Sequence, residues 1–140
     1  MKKRGFTLEL WRYVMDASAL INIERNGGIR ALGKRKGAIV LSEQVAKEVA
    51  FDPRIRKSDP LRQFVIRNAQ MITEFEDDEG EEYLRIASQP GIGAGEASAM
   101  AIALKRKLPL VIDEKDTKAR GKANNHGNQT LSGEDFLGGI

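Results

Sequence analysis

The chain has 140 residues, with 23 Lys and Arg against 20 Asp and Glu, 41% apolar residues and no cysteine. This length suits one compact domain over residues 1–140, and the composition excludes a disulfide scaffold, a thiolate zinc site and cysteine nucleophile chemistry. A lone histidine, His126, excludes a multi-histidine metal centre; no apolar run is long enough to cross a bilayer, and the start lacks a signal-peptide core, so a cytoplasmic location is expected.

Tyr13-Val14-Met15 is a short apolar run ending at Asp16, and reads as a buried strand. Asp16-Ala17-Ser18 opens a helix with Asp16 or Ser18 as N-cap, and Asn26-Gly27-Gly28 stops it. A small helix is expected around Ile29–Leu32, then a basic turn at Lys34-Arg35-Lys36-Gly37 and a second buried strand at Ala38–Leu41. Ser42 caps a helix from Glu43 to about Phe51; another helix spans Pro60 to Asn68, and Gln70–Thr73 reads as a third strand.

Glu74 to Glu82 is strongly acidic and reads as a solvated helix start, where acids suit the positive end of the helix dipole. Gly91-Ile92-Gly93-Ala94-Gly95 is expected as a loop; it lacks the strand context of a dinucleotide fingerprint and the Gly-Lys-Ser/Thr of a P-loop. Glu96 to Lys107 is strongly helical, Leu110–Ile112 a fourth strand ending at Asp113, Asp116 to Asn124 helical, and Gln129–Leu131 a final short strand. Short apolar strands alternating with helices predict a mainly parallel sheet covered on both faces, a three-layer α/β/α sandwich. Sites in such sheets form at the carboxyl ends of the strands.

Four acids stand out. Asp16 and Asp113 each follow an apolar strand directly. Glu48 lies three residues after Val45 and flanks the Val45–Val49 stripe; Glu96 lies four before Met100, at the start of the Ala97, Met100, Ala101, Leu104 stripe. An ion pair or a helix cap explains any one of them. Two bare carboxylates about 4 Å apart repel by about 4 kcal/mol at an effective dielectric near 20, so four meeting in one crevice need a cation. All-oxygen ligation suits Mg²⁺ or Mn²⁺, and such sites act on phosphate esters.

Val14-Met15-Asp16-Ala17-Ser18-Ala19-Leu20, Glu48 in its Val-Ala-Lys-Glu-Val helix, Gly95-Glu96-Ala97 opening an alanine-rich helix, Val111-Ile112-Asp113, and the tail Leu131–Leu137 together resemble a PIN domain. More narrowly, they resemble the VapC-like toxin ribonucleases of prokaryotic toxin–antitoxin pairs. The resemblance covers nearly the whole chain. It implies a Mg²⁺- or Mn²⁺-dependent endoribonuclease in which Asp16, Glu48, Glu96 and Asp113 are the catalytic, metal-binding quartet. By the same resemblance Ser18 supports the first acid, and Asp116 is a fifth acid; either Asp113 or Asp116 can be the main fourth ligand, and strand-end position favours Asp113. The expected partners are an RNA substrate, a cognate antitoxin and a second copy of the chain, with no membrane. Lys118, Arg120 and Lys122 follow the Asp113 strand end and are expected to hold the RNA backbone. The alternative function is a catalytically inactive PIN-fold module that binds RNA or protein.

Overall fold

A computed structural model describes residues 12–53, 59–113 and 117–138. Five short strands form one all-parallel sheet: β1 (Tyr13–Met15), β2 (Ile39–Ser42), β3 (Ile72–Thr73), β4 (Leu110–Val111) and β5 (Thr130–Leu131). Their order is β3-β2-β1-β4-β5. Val14 sits between Val40 and Leu110, so the central strand is flanked by apolar neighbours on both sides. The strands β1, β2 and β4 are wholly buried, and apart from Ser42 at the end of β2 their residues are apolar, as a sheet covered on both faces requires.

The chain starts at the central strand, winds outward to β3, then returns to the other side of β1 for β4 and β5. The direction of winding therefore reverses between β1 and β4, and the carboxyl ends of these two strands flank the switch point. The helices fall into two sets, those in the crossovers between β1 and β3 and those in the crossovers between β3 and β5. The first set is α1 (Ala17–Arg25), α2 (Ile29–Lys34), α3 (Glu43–Phe51) and α4 (Pro60–Arg67); the second is α5 (Glu79–Ala87), α6 (Ala94–Arg106) and α7 (Thr117–Asn125). A short α8 (Gly133–Gly138) packs back on α1.

The caps follow from the sequence. Asp16 caps α1, Ser42 caps α3 by accepting from Val45 N at 3.0 Å, and Asp59 caps α4 by accepting from Leu61 N at 2.8 Å. The α6 helix is buried almost all round, from Ala97 to Ala103. Its small side chains let it lie against the sheet while also touching α3 and α5. At the amino edge of the sheet, Phe136 of α8 is fully buried, stacks edge-on against Tyr13 at 5.1 Å and lies under the Arg35 guanidinium at 5.8 Å.

Three expectations need correction. The third strand is shorter than expected: Gln70 and Met71 belong to a short 3-10 turn, and only Ile72–Thr73 pair in the sheet. The segment 91–95 is a loop only as far as Gly93; Ala94 and Gly95 already belong to α6. The acidic run is not simply solvated. Glu79 is 3% exposed and pairs with Arg106, whose Nε and second guanidinium nitrogen donate to the two carboxylate oxygens at 2.7 and 3.0 Å. Arg106 also donates to the Glu74 carbonyl at 3.1 Å, and Glu76 N donates to Glu79 Oε1 at 2.7 Å. The surface partner of this network is Lys105, 3.0 Å from Asp78. Lys105 thereby holds the Asp78 carboxyl below its ordinary value, and the Glu79 carboxylate holds Arg106 above its own. Thus the acids at the start of α5 meet the basic end of α6, as the two helix dipoles favour. Among the described residues, no helix is long and apolar enough to cross a membrane.

Candidate active site

Asp16 leaves the sheet at the end of β1 and is 5% exposed. Its extended backbone lets the side chain turn back onto α1, where Oδ2 accepts from the Ser18 hydroxyl at 2.7 Å and from Ser18 N at 3.4 Å. The Ser18 hydroxyl oxygen in turn accepts from Asp113 N at 3.3 Å. Ser18 is therefore the tie between the ends of β1 and β4, across the switch point. Its place two residues after Asp16 is what allows both bonds.

Glu48 comes from the middle of α3 and reaches toward the first turn of α6. The approach is so close that a Cβ added at Gly95 would collide with the Glu48 carboxylate, while Val45 Cγ2 would lie at an ordinary 3.7 Å. Glu96, half-buried in the same turn of α6, accepts from Gly93 N at 3.4 Å and so serves as half of a capping box whose N-cap has no side chain. Asp16, Ser18, Glu48, Gly93, Gly95 and Glu96, with Ala17 and Ile21, line one crevice of about 290 Å³ at the carboxyl edge of the sheet.

Of the expected quartet, three acids face this crevice, and Asp113 joins through its backbone bond to Ser18. Asp116 lies outside the described residues. Among the described residues, no three His, Asp or Glu side chains are gathered at metal-ligand spacing. The donor set nevertheless fits a hard divalent ion. It is all oxygen, it lines a crevice with room for water, and Gly95 leaves open the space a side chain would close. Mg²⁺ keeps several of its waters and is held by one or two carboxylates together with a substrate phosphate, without a closed protein cage.

Comparison with known proteins identifies the family. Residues 12–131 match a family model, DUF3368, described as a PIN domain. The chain belongs to this PIN-domain family. Among solved structures, it is similar to PAE2754 from Pyrobaculum aerophilum, with 20% identity over 91% of this chain and 94% of that one and a TM-score of 0.60. It is also similar to a structure of FitAB bound to an IR36 DNA fragment, with 15% identity over 86% of this chain and 94% of that one and a TM-score of 0.54. At these identities the likeness carries the fold. No curated protein matches the chain.

The basic residues expected to meet RNA in this PIN domain fall on α7. Lys118 is exposed and Arg120 half-buried, whereas Lys122 Nζ donates to the Gly91 carbonyl at 2.5 Å. His126, at the end of the same helix, lies 3.2 Å from Gln89 Oε1. Lys122 and His126 thus hold the loop that leads into Gly93 and Glu96, a role that spacing along the chain does not signal. Gly91 itself needs its φ of +82°, which favours glycine. The place of Gly95 in the first turn of α6, against Glu48, emerges only in the fold, since the run 91–95 reads as a loop.

Proposed function

We propose that this PIN domain is a Mg²⁺- or Mn²⁺-dependent endoribonuclease, the toxin of a toxin–antitoxin pair. The observation that carries this reading is the convergence of Asp16, Glu48 and Glu96 on one crevice at the switch point, with Asp113 tied to its rim by Ser18. Asp16, Glu48, Glu96 and Asp113 hold the ion, with Asp116 as a further ligand. When bound, the ion supplies Lewis acidity that polarises a phosphodiester and makes water a stronger nucleophile.

The chain's own residues supply the rest. Ser18 fixes the Asp16 carboxylate by donating to Oδ2, and so sets its orientation at the crevice wall. The carboxylates repel a polyanion until a cation offsets them, so RNA binding depends on prior metal binding. Lys118, Arg120 and Lys122 on α7 neutralise backbone phosphates, and Lys122 has donors beyond the one it gives to Gly91. No side-chain nucleophile is required, in keeping with a chain that has no cysteine and one histidine. A cognate antitoxin and a second copy of the chain are the protein partners of this reading, which places the protein in the cytoplasm as one domain over residues 1–140.

The decisive experiment is Mn²⁺-dependent RNA cleavage by Asp16→Asn. The amide oxygen of Asn can still accept from Ser18 and cap α1, so the fold persists while ligation is lost. Cleavage should fall by at least about 100-fold, the upper range for loss of an outer-shell metal partner. Undiminished cleavage by the folded variant overturns the proposal.

A further inference from the structure

The two helices that carry Glu48 and Glu96 are joined by a buried pair of hydroxyls that the proposed chemistry does not use. Ser42 Oγ and Ser98 Oγ are 2.8 Å apart, and both residues are fully buried. The bonds around them determine which way the protons point. Ser42 Oγ already accepts from Val45 N at 3.0 Å, in the first turn of α3. Ser98 already donates its only proton to the Gly95 carbonyl at 2.8 Å, in the first turn of α6. Ser42 must therefore donate to Ser98. The result is a one-way chain: Val45 N–H to Ser42, Ser42 to Ser98, Ser98 to the Gly95 carbonyl.

Each end of this chain adjoins the crevice. Gly95 precedes Glu96, and its open α-carbon is the surface over which the Glu48 carboxylate lies. Val45 is one helical turn before Glu48 and touches the same α-carbon space. Apolar side chains in this position could slide against one another with little loss. A directed hydroxyl chain tolerates only a few tenths of an ångström, and a buried hydroxyl that loses its partner is costly. Capping α3 accounts for the hydroxyl of Ser42, but Ser98 lies among buried apolar residues of α6, where no cap requires a hydroxyl.

We infer that the Ser42–Ser98 hydroxyl pair is a positioning device that sets the spacing of the Glu48 and Glu96 carboxylates across the crevice. It rests on the metal-dependent nuclease reading for its purpose, but its geometry can be tested without metal. Ser98→Ala removes the middle of the chain with little change in volume. Phe136→Leu, at the opposite edge of the sheet, serves as a variant that lowers thermal stability without touching α3 or α6.

The first measurement uses metal-free protein labelled with ¹³C-glutamate, read at fixed neutral pH. S98A should shift the carboxyl resonances of both Glu48 and Glu96, and F136L should shift neither. If both resonances stay in place in S98A, the inference is overturned. If S98A does not fold, Ser98→Cys keeps the volume with a weaker donor, and the same two resonances decide. The second measurement is the Mn²⁺ concentration for half-maximal thermal stabilisation. It should rise about tenfold in S98A, as for loss of a group that orients a ligand, and stay unchanged in F136L. A wild-type protein that shows no Mn²⁺ response sinks the nuclease reading, whereas the carboxyl resonances still test the hydroxyl pair.

Discussion

At Gly95 two effects of one methyl group oppose each other. Alanine is better than glycine by about 1 kcal/mol in a helix interior and by less in the first turn, where Gly95 sits, so Gly95→Ala should help α6 slightly. The same methyl meets the Glu48 carboxylate, the movable tip of a flexible side chain. The carboxylate therefore yields and the helix stays. The expected outcome is a protein at least as stable as wild type whose Mn²⁺-dependent cleavage falls by about tenfold or more, the scale on which misplaced ligands weaken metal sites. Thermal melting together with cleavage rates checks it, and a fully active variant would show that Glu48 has no place in the chemistry. The individual acids were legible from their positions alone: Asp16 and Asp113 because they end apolar runs, Glu48 and Glu96 because they border helical stripes. Gly95 was not, because its partner lies 47 positions away and only packing brings it near.

Helix α5 owes its place to the end of α6. Glu79 is buried beside Arg106, so removing the guanidinium leaves an uncompensated carboxylate. Arg106→Ala should cost about 3 kcal/mol, the low end for breaking a buried pair, because the Arg is partly exposed. The melting temperature should drop by roughly 10 °C for a domain of this size, measurable by circular dichroism. The neighbouring Asp78–Lys105 pair gives a different signature. With its folded pKa held low by Lys105, Asp78 favours the folded state at pH above the ordinary carboxylate value and loses that contribution as pH falls through the lowered one. The difference in melting temperature between wild type and Asp78→Asn should thus be small but present at neutral pH and vanish in acid, once the pH has fallen below the lowered pKa. A difference that persists in acid would assign it to something other than this carboxylate. Periodicity places α6 to within two residues along the chain, and the acidic run marks the region where α5 begins. It says nothing of which charges they share, since ion pairs between elements leave no trace in spacing.

For the molecule as a whole, the crevice predicts metal-linked stability. An ion that binds only the folded state adds RT ln(1 + [M]/Kd), about 2.7 kcal/mol at 100 times Kd. Mn²⁺ should therefore raise the melting temperature by several degrees. The quadruple change Asp16→Asn, Glu48→Gln, Glu96→Gln, Asp113→Asn should abolish that rise and make the metal-free protein more stable, because the repulsion among the acids is gone. Scanning calorimetry with and without Mn²⁺ reads both effects, and an undiminished metal response in the quadruple variant would place the ion elsewhere.

What the sequence determined by itself was local: the position of each strand to within a few residues, the caps of α1 and α3 and the order of the acids, because apolar runs, N-cap residues and turn glycines act within a few positions. The alternation of strand and helix was enough for a parallel α/β sandwich, and the ordered acids were enough for the family resemblance. Tertiary structure decided the strand order and hence the switch point between β1 and β4. It also decided that Ser18 bridges two strand ends, that Ser42 meets Ser98, and that Lys122 holds the Gly91 loop. These are contacts between groups far apart in the chain, and their partners are selected by how whole elements pack.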